Sequence, residues 1–131
     1  CLAEGFVSSG LSALMGEWMA ALTSLHLFAL MVLICLAVTF MTETTSNTAT
    51  AALLMPVLAA AALGAGIPPE TIMVPAVMSA SCAFMLPVGT APNTIVFSSG
   101  LVSTARMARE GFLINLLGVV VISSVCYLML A

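Results

Sequence analysis

The chain has 131 residues, of which 63% are hydrophobic and 5% charged, with a formal net charge of -3 and a mean hydropathy of +1.28. Soluble domains are about half apolar and a quarter charged, so this is an integral membrane protein. Its only basic residues are Arg106 and Arg109, which leaves no basic patch to meet phosphates and excludes nucleic-acid binding.

At about 20 residues per span there is room for roughly four or five membrane segments. The chain opens on Cys1 without a basic leader and cleavage site, so no signal peptide is predicted. It reads as a C-terminal portion whose function needs the missing N-terminal half of the same polypeptide. Cys1, Cys35, Cys82 and Cys126 are scattered and read as small buried hydrophobes rather than metal ligands or a disulfide framework.

Residues 1–22 are moderately apolar and broken by Gly5, Gly10 and Gly16, with Trp18 beside Glu17. An indole next to a carboxylate suits the membrane interface, so this stretch is predicted to be the end of one span plus a short interfacial helix. Thr23-Ser24 then offers a helix cap, and Leu25 to Met41 is apolar except for His26 and Thr39. The lone His26 reads as an interfacial residue without a role.

The polar tract Thr42-Glu43-Thr44-Thr45-Ser46-Asn47-Thr48-Ala49-Thr50 follows. It is either a surface turn between full spans or the tip of a re-entrant hairpin over 23–66. Thr23 to Glu43 makes roughly 30 Å of helix and Ala49 to Leu63 about 22 Å, which does not decide between them. Non-helical backbone at membrane depth survives only when buried in protein or lining a watered cavity, and short hydroxyls and an amide suit such a place. Pro56 is expected to kink the second arm.

Gly64-Ala65-Gly66-Ile67-Pro68-Pro69-Glu70 is the clearest turn, since paired Gly ends one helix and paired Pro starts the next. A discontinuous helix is predicted over 70–102: Thr71 to Leu86 helical, Pro87 to Pro92 unwound, then a half-helix capped by Asn93. The small residues Ala76, Ser79, Ala80 and Ala83 allow its first part to pack closely. The last span is predicted over 107–131, with Phe112 to Ala131 uninterrupted. Arg106 and Arg109 place the segment before it on the cytoplasmic side, so that both hairpin arms open outward.

The two polar patches share chemistry. Asn47-Thr48 and Asn93-Thr94 both stand at predicted helix N-termini, which attract anions, while carbonyls and hydroxyls of the preceding turns suit a small hard cation such as sodium. Ordinary N-capping explains either pair alone; two in tandem point to a shared site. Glu43, the only carboxylate near the tip, either supports the backbone or tunes sodium or proton coupling.

Ser46-Asn47-Thr48 after Thr-Glu-x-Thr, followed by Ala-Thr-Ala-Ala-x-x-x-Pro, with Gly89-Thr90-Ala91-Pro92-Asn93 downstream, resembles the divalent anion/sodium symporter family of sodium-coupled dicarboxylate and citrate cotransporters. The resemblance covers Leu25 to Ala131 and departs at Ala91, where the family often carries the first of two prolines. It implies an all-α membrane protein forming one half of an inverted-repeat, elevator-type transporter in the cell (inner) membrane. The hairpin, broken helix and last span would move against a dimeric scaffold to which residues 1–22 mostly belong, and the other repeat would lie in the missing half. It implies that Ser46, Asn47, Thr48 and Thr90 hold a substrate carboxylate, and that sodium is held by Thr42, Thr45, Asn47, Gly89 and Ala91. The partners implied are a small anionic substrate, the lipid bilayer and a second copy in a homodimer; sodium is co-transported, and no organic cofactor is expected. Alternatives are a related transporter for another anion or one coupled to protons, and a non-transporting structural subunit. An enzyme is disfavoured because the sequence holds no Asp and no Ser-His or His-Glu-x-x-His constellation.

Overall fold

The computed structural model describes residues 27–130. The predicted scaffold end and interfacial helix at 1–22, with Thr23, Ser24 and His26, lie outside the described residues, as does Ala131. Among the described residues all regular structure is helical: α1 Leu27–Thr42, α2 Asn47–Gly64, α3 Pro69–Ala80, α4 Ala91–Ser98 and α5 Thr104–Leu130.

The apolar runs became helices where length and composition said they would, and local chemistry sets their ends. Ser46 caps α2, its Oγ accepting from the Ala49 N–H at 3.0 Å. α2 continues through Pro56 and ends in a Schellman turn. There Gly66 takes φ +68°, its N–H donates to the Leu63 carbonyl, and the Ile67 N–H reaches back to Ala62. Pro69 then opens α3 at the position where a missing N–H costs nothing. Gly100, at φ +72°, turns the chain from α4 toward α5.

α3 is the centre of the packing and contacts α1, α2 and α5, while the two arms α1 and α2 touch each other sparsely. One apolar cluster joins Leu30 and Val38 of α1, Leu58, Ala61 and Ala62 of α2, and Ile72, Ala76 and Ala80 of α3. Its many alanines let the backbones approach, the way helices associate where lipid removes the ordinary hydrophobic drive. A second cluster joins Met31 and Cys35 of α1 to Val119, Ile122 and Cys126 of α5. Phe28 against Tyr127 and Phe40 against Phe112 bracket that α1–α5 seam, with ring centroids 5.4 and 5.7 Å apart. Outward faces remain apolar: Leu53 on α2, Ile95 on α4, and Leu117, Val121 and Leu128 on α5 are all exposed.

At 1.5 Å per residue α5 is about 40 Å long, α2 about 27 Å, α1 about 24 Å and α3 about 18 Å. Among the described residues two helices, α2 and α5, are long and apolar enough to cross a membrane; α3, with 12 residues, is well short of the roughly 20 that a span needs.

The broken helix differs from expectation in two places. Its first part stops at Ala80 instead of Leu86, because the N–H groups of Phe84, Met85 and Leu86 donate to the Glu43 carboxylate, where a continuing helix would have used its own carbonyls. The half-helix is capped by Thr90, whose Oγ accepts from the Asn93 N–H at 3.4 Å. Asn93, predicted to be the cap, sits one turn in and faces the interior.

Candidate functional site at the helix tip and the broken helix

The tip is the turn between α1 and α2. The Thr44 N–H and the hydroxyls of Thr44 and Thr45 all donate to the Met41 carbonyl, at 3.3, 3.2 and 3.0 Å, closing the carbonyl end of α1. Ser46 satisfies one donor of α2, which leaves the N–H groups of Asn47 and Thr48, its first two residues, without intrahelical acceptors. Behind them Thr42 is fully buried. Its Oγ1 lies 2.7 Å from Asn47 Oδ1 and 2.8 Å from the Ala80 carbonyl oxygen. The Thr42 hydroxyl, the Asn47 carboxamide and the Ala80 carbonyl thus converge on one point.

The break spans residues 81–90, and polar side chains from elsewhere hold it open. Asn93 Nδ2 donates to the carbonyls of Ala83 and Leu86 at 2.8 and 3.0 Å, and Thr94 Oγ1 donates to that of Pro87 at 2.7 Å. Glu43 takes the other side of the same backbone. Its Oε1 accepts from the N–H groups of Phe84 and Met85 at 2.8 and 2.9 Å and from Asn115 Nδ2 at 2.7 Å, and its Oε2 accepts from the Leu86 N–H at 3.0 Å. A carboxylate 4% exposed would cost several kcal/mol if left unpaired. Four donors offset this, each charge-assisted bond contributing about 1.5–3 kcal/mol. Of the two roles open to Glu43, backbone support is the one these bonds describe.

Gly111 of α5 lets the break lie directly on that helix, since a Cβ there would stand 2.3 Å from the Phe84 carbonyl oxygen. Gly89 sits over Glu43 in the same way, with 3.3 Å between its would-be Cβ and Oε2.

Between tip and break lies a cavity of about 450 Å³, lined by Thr44, Thr45, Ser46, Asn47, Val88, Gly89, Thr90, Ala91 and Thr94. The starts of α2 and α4 therefore open onto one space, with hydroxyls and loop carbonyls around it and neither Lys nor Arg in its wall.

The sequence matches the sodium:sulfate symporter transmembrane region over residues 1–130. The chain belongs to the sodium:sulfate symporter family. This is the membrane-transporter family, not an enzyme family, that the Ser-Asn-Thr motif indicated. The chain is 45% identical over 126 residues to the sodium-dependent dicarboxylate transporter SdcS of Staphylococcus saprophyticus, and 43% identical to that of Staphylococcus aureus. In both cases the match covers 96% of this chain and 24% of the relative, so the chain spans about a quarter of the length of these curated relatives.

In this chain the structure brings Thr45, Ser46, Asn47, Gly89, Thr90 and Ala91 to the cavity wall. Thr42 stands behind Asn47, and the exposed Thr48 side chain lies outside the lining although its N–H belongs to the open start of α2. Thr44 and Val88, from the turns that precede the two helix starts, and Thr94, of the second Asn-Thr pair, complete the wall. Asn115 and Gly111, which hold the break from behind, were missed. The only trace of Asn115 in the sequence is one amide inside the apolar run from Phe112 to Ala131.

Proposed function

We propose that the chain is the C-terminal repeat of a sodium-coupled symporter for di- or tricarboxylates of the succinate type in the cell membrane. The single observation that carries this reading is that two helix N-termini, at Ser46-Asn47 and Thr90-Ala91, open onto the same cavity. Each N-terminus contributes about half a positive charge, with the acceptor-free N–H groups of Asn47 and Thr48 at α2 and that of Ala91 alone at α4, where Pro92 has none and Asn93 donates to Thr90. A substrate carboxylate held at Ser46, Asn47, Thr90 and the start of α2 at Thr48 meets both. Sodium takes the oxygen-rich side: Thr42, Thr45, the Asn47 carboxamide and the loop carbonyls beside Gly89, with Ala91 at the opening of α4. The convergence of the Thr42 hydroxyl, the Asn47 carboxamide and the Ala80 carbonyl, three groups that can each present an oxygen, supports a cation on that side. Hard oxygen donors are what such an ion takes.

In this reading α1 and α2 form a re-entrant hairpin and α3–α4 a discontinuous membrane helix, with α5 as the full span. The staphylococcal relatives are named sodium-dependent dicarboxylate transporters, which supports sodium and dicarboxylate here. The rest of the transporter comprises the other repeat, the scaffold containing residues 1–22, and a second copy in a homodimer. Elevator movement carries the hairpin, break and last span together, a unit that the Glu43 bonds linking all three favour. The test is uptake of labelled succinate by the full-length protein with sodium or choline outside, and with excess sulfate as competitor. Sodium-dependent uptake resistant to sulfate is expected; uptake indifferent to sodium, or uptake that sulfate abolishes, contradicts the coupling or the substrate class.

A further inference from the structure

The geometry points to Asn115 of α5 as a positioning residue that sets the sodium affinity of the site without touching the ion, an inference that rests on the sodium reading above. Asn115 is fully buried and its amide nitrogen reaches Glu43 Oε1 at 2.7 Å. Its Oδ1 has no partner among the described residues. The side chain is thus turned wholly to serve the carboxylate, leaving its own acceptor unused.

Glu43 in turn receives the N–H groups of Phe84, Met85 and Leu86. A fixed N–H fixes the carbonyl of the preceding residue in the same planar peptide, so these bonds set the carbonyls of Ala83, Phe84 and Met85 and with them the position of the segment that leads into Val88 and Gly89. Gly89 also rests over Oε2, with 3.3 Å to its would-be Cβ, which places a full negative charge just behind the cavity wall. That charge favours a cation in the cavity and disfavours an anion. With sodium placed at the loop beside Gly89 and Glu43 Oε2 directly behind that glycine, fixing the charge at its present position acts more strongly on sodium than on the substrate, which it opposes from farther off. Outer partners that orient a ligand typically change metal affinity by about 10–100-fold, and Asn115 is such a partner at one further remove.

The experiment uses the purified full-length protein and measures sodium binding without substrate, then succinate binding at saturating sodium. Asn115→Leu removes the donor together with the unpaired Oδ1, so it is expected to fold. Asn115→Ala removes the same donor without adding a charge, and its thermal stability is measured beside it to separate a void from a lost bond. Both should weaken sodium by about tenfold or more while succinate affinity at saturating sodium stays within about twofold. Glu43→Gln combined with Asn115→Leu should be no worse than the weaker-binding single variant, because the two residues act through each other. Unchanged sodium affinity in both Asn115 variants, additive losses in the double variant, or equal losses for sodium and succinate would each overturn the inference. Wild-type protein that binds no sodium would instead overturn the site reading on which it rests.

Discussion

Replacing Gly111 by Ala adds one methyl group at the point where α5 carries the break of α3–α4. The new Cβ would stand 2.3 Å from the Phe84 carbonyl oxygen, 2.6 Å from the Phe84 carbonyl carbon and 2.7 Å from the Met85 Cα. All three are backbone atoms, so no side chain can rotate out of the way. A carbon–oxygen contact relaxes only near 3.3 Å, so the strand must retreat by roughly 1 Å. Because the Phe84 and Met85 N–H groups are held by Glu43, that shift distorts hydrogen bonds of 2.8 and 2.9 Å. Overpacking costs about 1–3 kcal/mol, and the weakened carboxylate bonds add to it. Gly118→Ala is the control on the same helix, since its nearest neighbour is the Cys82 Sγ at 3.9 Å, an ordinary contact. Thermal unfolding of both variants in detergent, with sodium titrated in parallel, should show Gly111→Ala destabilised and weak in sodium binding, and Gly118→Ala close to wild type. Equal behaviour of the two alanines would refute the idea that the break is held against α5 by close backbone approach.

Asn47→Ala should abolish uptake in a folded, well-expressed protein, because it removes an amide facing both the cavity and Thr42; wild-type uptake rates would reject the site. Asn93→Ala should act mainly on stability, by about 2–4 kcal/mol, since it strands the carbonyls of Ala83 and Leu86 at about 1–2 kcal/mol each, and a melting temperature equal to wild type would contradict that. A single cysteine at position 108, in an otherwise cysteine-free protein, should react with impermeant thiol reagents only after the membrane is opened, because Arg106 and Arg109 mark the cytoplasmic side. Labelling in intact cells would invert the topology.

The helices α1, α2 and α5 were legible because they are long apolar runs, and the Gly66 turn and the proline pair act within a few residues of where they stand; the Ser46 cap of α2 was not foreseen. Nor was the end of α3. Nothing between Ser81 and Leu86 forbids helix, and the cause of unwinding sits about forty residues away in Glu43 and thirty in Asn115, partners that only the tertiary fold supplies. Asn93 misled for a related reason. A polar residue just after Pro92 has the look of a cap, yet Thr90 takes the cap and Asn93 is drawn inward by two carbonyls that the unwound strand leaves free. The cavity was easier to foresee, since two patches of hydroxyls and amides inside apolar sequence have no reason to exist unless they face something polar.

The central claim is that the cavity holds an anion only together with sodium. Two helix N-termini supply about one positive charge between them, against two negative charges on succinate. No Lys or Arg lines the wall, and the Glu43 carboxylate lies behind it. A buried unpaired charge costs at least several kcal/mol, so bound cations must supply the remainder. The direct test is equilibrium binding of succinate to the purified full-length protein in sodium and in choline, at fixed ionic strength and pH. Binding in sodium and loss of it in choline is the predicted result; equal affinity in the two contradicts the account.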